Sequence, residues 1–465
     1  MTNLVASRPT TGGDGAPERP PSKRLLIGIP VALVALLGWA VATGNGIYAL
    51  GFLGFVIALL VSVSLHEGGH FWTARRYGMK ATQFFVGFGP TIWSRQRGET
   101  EWGFKAIPAG GFVKIVGMTS LEEVDPRDED RAFWKQPARQ RVVVLAAGST
   151  VHFIIAIVLV LLSSLFIGKA VELAPGVSTV SDCVPATYKS SCDDPGALPA
   201  PAGAAGLQQG DVVVAVDGQP VQDSLAFLRA VRAAPGEPVG LTVERAGERQ
   251  DLTLTPVAVE RPVLGAAPLV RDGEPVLDAD GDPVFPTETV GAIGMGIEFR
   301  QGTESLNPVE AVGHSVDTMG TIVTGIWTTF REKIPSITQV YGPERDPQGF
   351  VGVVGAGRIS GEVLASDETL AFKVLGFLGL IAGLNFFVGV FNLLPLLPLD
   401  GGHIAVLLYE QARDKLKRAF GYVGPMRRVD LTKLLPVTYA VVLFFAGFTV
   451  FLLGADIVNP IRLEQ

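Results

Sequence analysis

Five stretches of the 465-residue chain contain no Asp, Glu, Lys or Arg: 25–44, 48–65, 142–168, 374–399 and 435–455. A helix crosses ~30 Å of hydrocarbon in about 20 residues, so each is long enough to span a membrane, or nearly so. Buried core helices of a large soluble enzyme are the competing reading. Composition argues against it: charged residues are 18% of the chain and apolar residues 48%, where soluble domains carry roughly 25% charged residues. The expected fold is therefore a polytopic α-helical membrane protein of about five spans. Residues 1–24, with Pro, Gly and Ser between charges, read as a disordered tail. The run at 25–44 follows Lys23 and Arg24 and holds 40-AVA-42, which resembles a signal-peptide cleavage site. Its apolar stretch exceeds the about 7–15 residues of a signal core, so an extra N-terminal span is the reading adopted.

Lys and Arg gather on the cytoplasmic side of spans. Residues 71–141 hold twelve basic against eight acidic residues, and 400–434 hold seven against four. Residues 169–305 reverse the balance, with nine basic against twenty acidic. This places 71–141 and 400–434 inside and 169–305 outside, with a cytoplasmic N-terminus, in a multi-pass protein of the inner or plasma membrane. Alternating five spans from an inside start gives the same assignment. The two cysteines, Cys183 and Cys192, then lie outside, where a disulfide persists; two free thiols are the alternative. A net charge of −7 points to no nucleic-acid partner.

The second run ends in 66-HEGGH-70, which places two of five histidines four residues apart. Residues i and i+4 share a helix face, so His66 and His70 can hold one metal ion. Glu67 projects about 100° around the helix, beside the ion but poorly placed to ligate it. A general base for water activated by zinc is needed there. H-E-x-x-H alone is a weak signal, and two hydrogen-bonded helical histidines would produce it too. Here the motif sits at the end of an apolar span, where ionisable groups are costly and usually functional. Gly68 and Gly69 leave room for another backbone. A catalytic zinc takes a third protein ligand, and Asp400, at the end of the fourth run, reaches a similar depth.

Several motifs in order resemble the site-2 proteases, intramembrane zinc metalloproteases: 66-HEGGH-70, 85-FVGFGP-90, 106-AIPAGGFVKIVGM-118, 147-AGSTVHF-153 and 392-NLLPLLPLDGGH-403. The resemblance spans roughly 48–457 and is greatest to bacterial, actinobacterial-like members with an extracytoplasmic PDZ domain. It implies Zn2+ as cofactor, Asp400 as third ligand and Glu67 as base. It also implies a four-span protease core, made of 48–168 and 370–457, and a β-rich cytoplasmic-side segment. Ser149 stands where the family pattern has Pro and His152 where it has Asn. His152 is thus a polar residue that hydrogen-bonds within the membrane or, alternatively, a further zinc ligand.

Pro395 and Pro398 break the fourth run. A helix to about Asn392 followed by an unwound segment would deliver Asp400, and non-helical backbone at that depth must line protein or a wet cavity. The Asn392 amide can pair with an extended substrate backbone or cap the broken helix; Asn385 reads as a packing polar. The Gly-punctuated strands at 81–89 and 103–116 offer an edge for strand addition, with Gly110 and Gly111 as candidate substrate contacts. Residues 175–258 resemble an α+β PDZ domain, either a peptide binder or a size filter. Residues 259–369 form an extracytoplasmic linker with an amphipathic helix at 308–331. Within it 278-DADGDP-283 reads as a turn, lacking the late Glu of a calcium loop. Further on, 352-GVVGAG-357 lacks the βαβ setting of a nucleotide fingerprint.

Together these imply an intramembrane zinc endopeptidase in the lipid bilayer. Its expected substrates are single-span membrane-tethered regulators, such as anti-sigma factors, after a first cut outside. The alternatives are an inactive PDZ-bearing scaffold and a zinc peptidase of cytoplasmic peptides.

Overall fold

The computed structural model describes residue 38 and residues 42–118, 124–271, 274–278, 281–335, 337–342, 345–346, 349–424 and 428–461. The tail at 1–24 and most of the run at 25–44 lie outside the described residues. The chain divides into two compact units, residues 1–168 with 305–465, and Lys169–Glu304.

The first unit opens with helix α1, Gly46–Arg76. Its last turn carries Arg75 and Arg76, whose charge suits the negative end of the helix dipole. Strands β1, Ala81–Arg97, and β2, Thr100–Ile115, run antiparallel. Both bend back on themselves. Phe84 faces Val113 as well as Trp102, and Trp93 faces Phe104, so residues 111–115 and 91–97 form the two open edges. Gly87 and Gly89, both at positive φ, supply the bend in β1. Helix α2, Ala138–Phe166, follows.

The second unit contains β3, Lys169–Glu172; β4, Gly176–Val180; β5, Val212–Val216; α3, Ser224–Arg232; β6, Val239–Arg245; β7, Glu248–Leu254; β8, Val257–Pro262; β9, Thr287–Ala292; β10, Met295–Glu298; and β11, Gln301–Glu304. The main sheet runs β7–β6–β5–β4–β10, with every pair antiparallel. Its core gathers Val177, Val213, Phe227, Val231, Leu241 and Val243. Asp223 caps α3 by accepting from the Ala226 N–H at 2.6 Å. Asp211, 1% exposed, accepts from Arg245 through both oxygens and from the Gln208 N–H. Those bonds hold its carboxyl below the usual aspartate range. Cys183 and Cys192 are joined in a disulfide. Near 278 the Asp278 side chain accepts from the Asp282 N–H at 2.9 Å, and Lys189 pairs with Asp278 and lies 3.9 Å from Asp282.

The first unit resumes with α4, Pro308–Lys333, over the span expected to be amphipathic; Asn307 and Glu310 close a full capping box at its start. Then come α5, Val353–Ala365; α6, Leu370–Asn392; α7, Asp400–Ala419; and α8, Leu435–Val458. Among the described residues four helices are long and apolar enough to cross a membrane: α1, α2, α6 and the 28-residue stretch Leu431–Val458 that contains α8. Their outward faces carry exposed apolar side chains such as Leu50, Ile57, Val61, Leu443 and Phe444, as lipid contact allows. Small residues bring helices together. A Cβ on Gly51 would lie 2.5 Å from the Ser360 carbonyl oxygen, and one on Gly361 would strike Tyr48, so α1 and α5 meet backbone to backbone. The GVVGAG run starts α5, and its N-terminal N–H groups are taken by a carboxylate of this chain. Asp456 accepts from Gly355 at 2.8 Å. A core of Phe71, Met79, Phe84, Ile115, Phe133, Leu145 and Leu407 ties the end of α1 to the β-sheet, α2 and α7.

Candidate metal centre

Three elements converge on one point. Helix α1 supplies His66 and His70 from successive turns, and α7 begins at Asp400 after the non-helical stretch 393–399. Two prolines keep that stretch from continuing α6, and Gly401 and Gly402 let it fold back. A Cβ on Gly401 would lie 2.2 Å from the Leu393 oxygen, and one on Gly402 would lie 2.5 Å from Leu396. Asp400 therefore stands in the first turn of a helix, where the dipole favours an anion.

The donor atoms sit close together. His66 Nε2 is 3.2 Å from His70 Nε2 and 3.4 Å from Asp400 Oδ2, and His70 Nε2 is 3.3 Å from the same oxygen. Zinc bonds of ~2.0–2.1 Å to N and O in a tetrahedron separate donors by about 3.3 Å, so the spacing fits a zinc ion. The His70 Nδ1–H donates to the Val144 carbonyl at 2.7 Å, which leaves the Nε2 lone pair facing inward. Asp400 Oδ2 is buried with no hydrogen bond, and a buried acceptor without a donor is costly unless a cation takes it. Gly148 of α2 floors the site: a Cβ there would lie 2.4 Å from His66 Cε1 and 2.5 Å from His70 Nε2. Of the two α1 glycines, Gly69 makes the interhelical approach, with a Cβ 2.8 Å from the Ala147 oxygen, whereas Gly68 faces Trp72 of its own helix.

Glu67 is not part of the three-donor cluster. Its Oε2 accepts from the Val113 N–H at 3.0 Å, on the open edge of β2. A Cβ on Gly111 would lie 3.4 Å from Glu67 Cγ, so Gly111 borders the glutamate. Gly110, at φ 143°, packs instead against Phe88. Asn392 is the last residue of α6 and half-buried; that end is closed by the Leu393 N–H on the Val390 and Phe391 carbonyls rather than by its side chain. Sequence reasoning did not find Val113 and Val144, which act through backbone atoms. It flagged His152 and Asn385 separately; the structure joins them at 2.8 Å, His152 Nδ1 to Asn385 Oδ1.

Three donors spaced for zinc with a further carboxylate beside them, two of the donors on a helix of membrane-crossing length, define the class: a zinc metalloprotease built into a membrane protein. Comparison with known proteins agrees: residues 54–424 match peptidase family M50, and the chain belongs to that family. Zinc metalloprotease Rip1 of Mycobacterium tuberculosis is 38% identical over 426 residues, spanning 90% of this chain and all of that protein. Its counterpart in Mycolicibacterium smegmatis is 36% identical over 431 residues, with the same coverage. The regulator of sigma E protease of Salmonella typhi is 28% identical over 437 residues, covering 77% of this chain and 90% of its own length.

When bound, zinc supplies Lewis-acid polarisation of a peptide carbonyl and acidifies water. His66, His70 and Asp400 would hold it. Glu67, which accepts from the Val113 N–H, would then serve as the general base for water and as proton donor to the leaving amine. The open β2 edge lies beside that carboxylate.

Proposed function

We propose that this protease cuts peptide bonds within transmembrane segments of membrane-tethered regulators, near the cytoplasmic side. The observation that carries this is the position of the donors: His66 and His70 lie on α1, a helix apolar enough to cross a membrane. A helical substrate must unwind before its carbonyls can be attacked. The open β2 edge supports capture of the unwound strand. Side chains and backbone groups alternate along a strand, so Gly111 presents its N–H and C=O on the same edge as Val113, next to Glu67. Asn392 is proposed to bind the same extended backbone.

The charge distribution supports a cytoplasmic N-terminus, with Lys169–Glu304 outside. The Cys183–Cys192 disulfide is in keeping with that side. The antiparallel sheet with helix α3 supports a PDZ-like module that admits substrates only after a first extracytoplasmic cut. One relative is named as a regulator of sigma E protease, which favours anti-sigma factors as the substrate class.

The test is reconstitution of the purified chain in lipid vesicles with a single-span substrate already trimmed on its outer side. Products cut inside the apolar segment are expected from wild type. Glu67→Ala is expected to cut about 10²–10⁴-fold more slowly, although that variant keeps its zinc. Cleavage confined to soluble peptides would reject the intramembrane reading, and full activity of Glu67→Ala would reject the mechanism.

A further inference from the structure

The two histidines of the metal site are held differently. His70 has the usual outer partner, a backbone carbonyl at 2.7 Å on Nδ1. His66 Nδ1 is buried and meets only the Gly148 backbone, in a contact less well formed than the bond of His70 to Val144. A ligating imidazole needs something to fix its ring plane, and nearly always that is a hydrogen bond from its second nitrogen. What His66 has instead is contact. The Gly148 backbone lies beneath it, and the His152 ring stands 4.9 Å away, tilted by 41°.

His152 is itself locked. It is 2% exposed, and Asn385, its partner on α6, is 1% exposed. The Asn385 Nδ2–H donates to the Ile381 carbonyl at 2.9 Å, which turns Oδ1 toward His152. His152 Nδ1 must then carry the proton it donates to that oxygen, and the tautomer follows. Gly389 keeps α6 close enough for the bond: a Cβ there would lie 3.2 Å from His152 Cβ and 2.9 Å from the Phe153 ring.

We propose that His152, keyed by Asn385, is a positioning residue that holds the His66 imidazole in its metal-ligating orientation. The chain of contacts runs from the Ile381 carbonyl through Asn385 and His152 to His66, and it couples α6, which leads into the Asp400 segment, to the ligands on α1. This inference rests on the zinc site described above.

The experiment measures zinc affinity by chelator competition on the full chain in detergent, for wild type, His152→Ala, Asn385→Leu and the double variant. It adds the visible absorption of each after cobalt substitution and the thermal unfolding of each metal-free form. Outer-shell partners of metal ligands typically affect affinity 10–100-fold. About a tenfold loss is expected for each single variant, with the double no weaker than His152→Ala alone. The cobalt spectrum should shift, and the loss of zinc affinity should exceed what any fall in metal-free stability accounts for. Wild-type affinity and an unshifted spectrum in both variants would overturn the proposal. So would additive losses, or a loss of zinc that merely tracks a loss of metal-free stability. If His152→Ala does not fold, Asn385→Leu, which leaves the imidazole in place but unkeyed, decides alone. Failure of wild type itself to bind zinc would instead refute the underlying site.

Discussion

Two carboxylates of the first unit, Asp456, which is buried, and Asp400, whose side chain is 15% exposed, differ in what meets their oxygens. Asp456 on α8 is fully partnered. Its oxygens accept from Arg345 at 2.9 Å, from the Gly355 N–H at 2.8 Å and from the Gly352 N–H at 3.4 Å. Arg345 in turn bonds the Asn459 and Phe350 carbonyls, and both side chains are 4% exposed or less. Asp400, by contrast, turns an unbonded oxygen toward two imidazole nitrogens. Burial alone therefore does not mark a functional site in a membrane protein. The carboxylate with an unbonded oxygen belongs to the set of donors spaced for a metal, and the one met by three donors fastens the fold. The Asp456 clasp ties α8, the 345–352 segment and the start of α5, which packs in turn on α1.

Removing each carboxylate in turn separates the two roles. Asp400→Ala should lose zinc, read as metal per purified chain, and with it all peptidase activity. Its metal-free form should unfold at the wild-type temperature or slightly above, because an unpaired buried acceptor has been deleted. A marked fall in metal-free stability would show that Asp400 has a structural partner after all. Glu67→Ala separates chemistry from binding at the same site. General-base catalysis contributes typically 10²–10⁴-fold, so the rate of peptide cleavage should fall by about that factor with zinc content unchanged.

Asp456→Ala should do the opposite. Breaking a buried pair leaves Arg345 uncompensated and costs about 3–5 kcal/mol. Thermal unfolding in detergent should drop accordingly, while those chains that remain folded keep one zinc each. Loss of zinc at full stability in this variant would erase the distinction between clasp and site.

These two carboxylates were not equally legible. The H-E-x-x-H pattern is local, and a helical period is enough to place His66 beside His70. The four membrane-length helices follow from uncharged runs and need no tertiary information. Asp400 lies far along the chain, and it entered through resemblance to a protease family together with the broken fourth run. The role of Asp456 was invisible. It lies at the tail of an apolar run, and its partners are a distant arginine and backbone N–H groups that carry no sequence signal. Equally hidden were Val113, Val144 and the pairing of His152 with Asn385, since a contact between residues 152 and 385 depends on how α2 meets α6. In the second unit the hairpin β6–β7 can be read from its turn, whereas the pairing of β4 with β10 cannot, because their pairing closes a long loop.

A smaller effect is expected for a third carboxylate, outside the apolar helices. Asp211 is as buried as Asp456 and as fully partnered, by Arg245 and the Gln208 N–H, but it belongs to Lys169–Glu304. Arg245 is 25% exposed, so water screens the pair in part. Removing one charge-assisted partner there should cost about 2 kcal/mol. The sign of the pH effect follows from the Arg245 bonds, which hold the folded carboxyl below the ~3.9 of a free aspartate. Between the two values the unfolded chain binds the proton first. The stabilisation is therefore complete above about pH 4 and is lost as pH falls through the lower folded value. Asp211→Asn should lower the stability of this unit at neutral pH, read by hydrogen exchange at the strands around Val213 and Val243 in the full chain. It should also flatten the acid limb of that profile. An acid limb as steep as wild type in the variant would show that other carboxylates govern it.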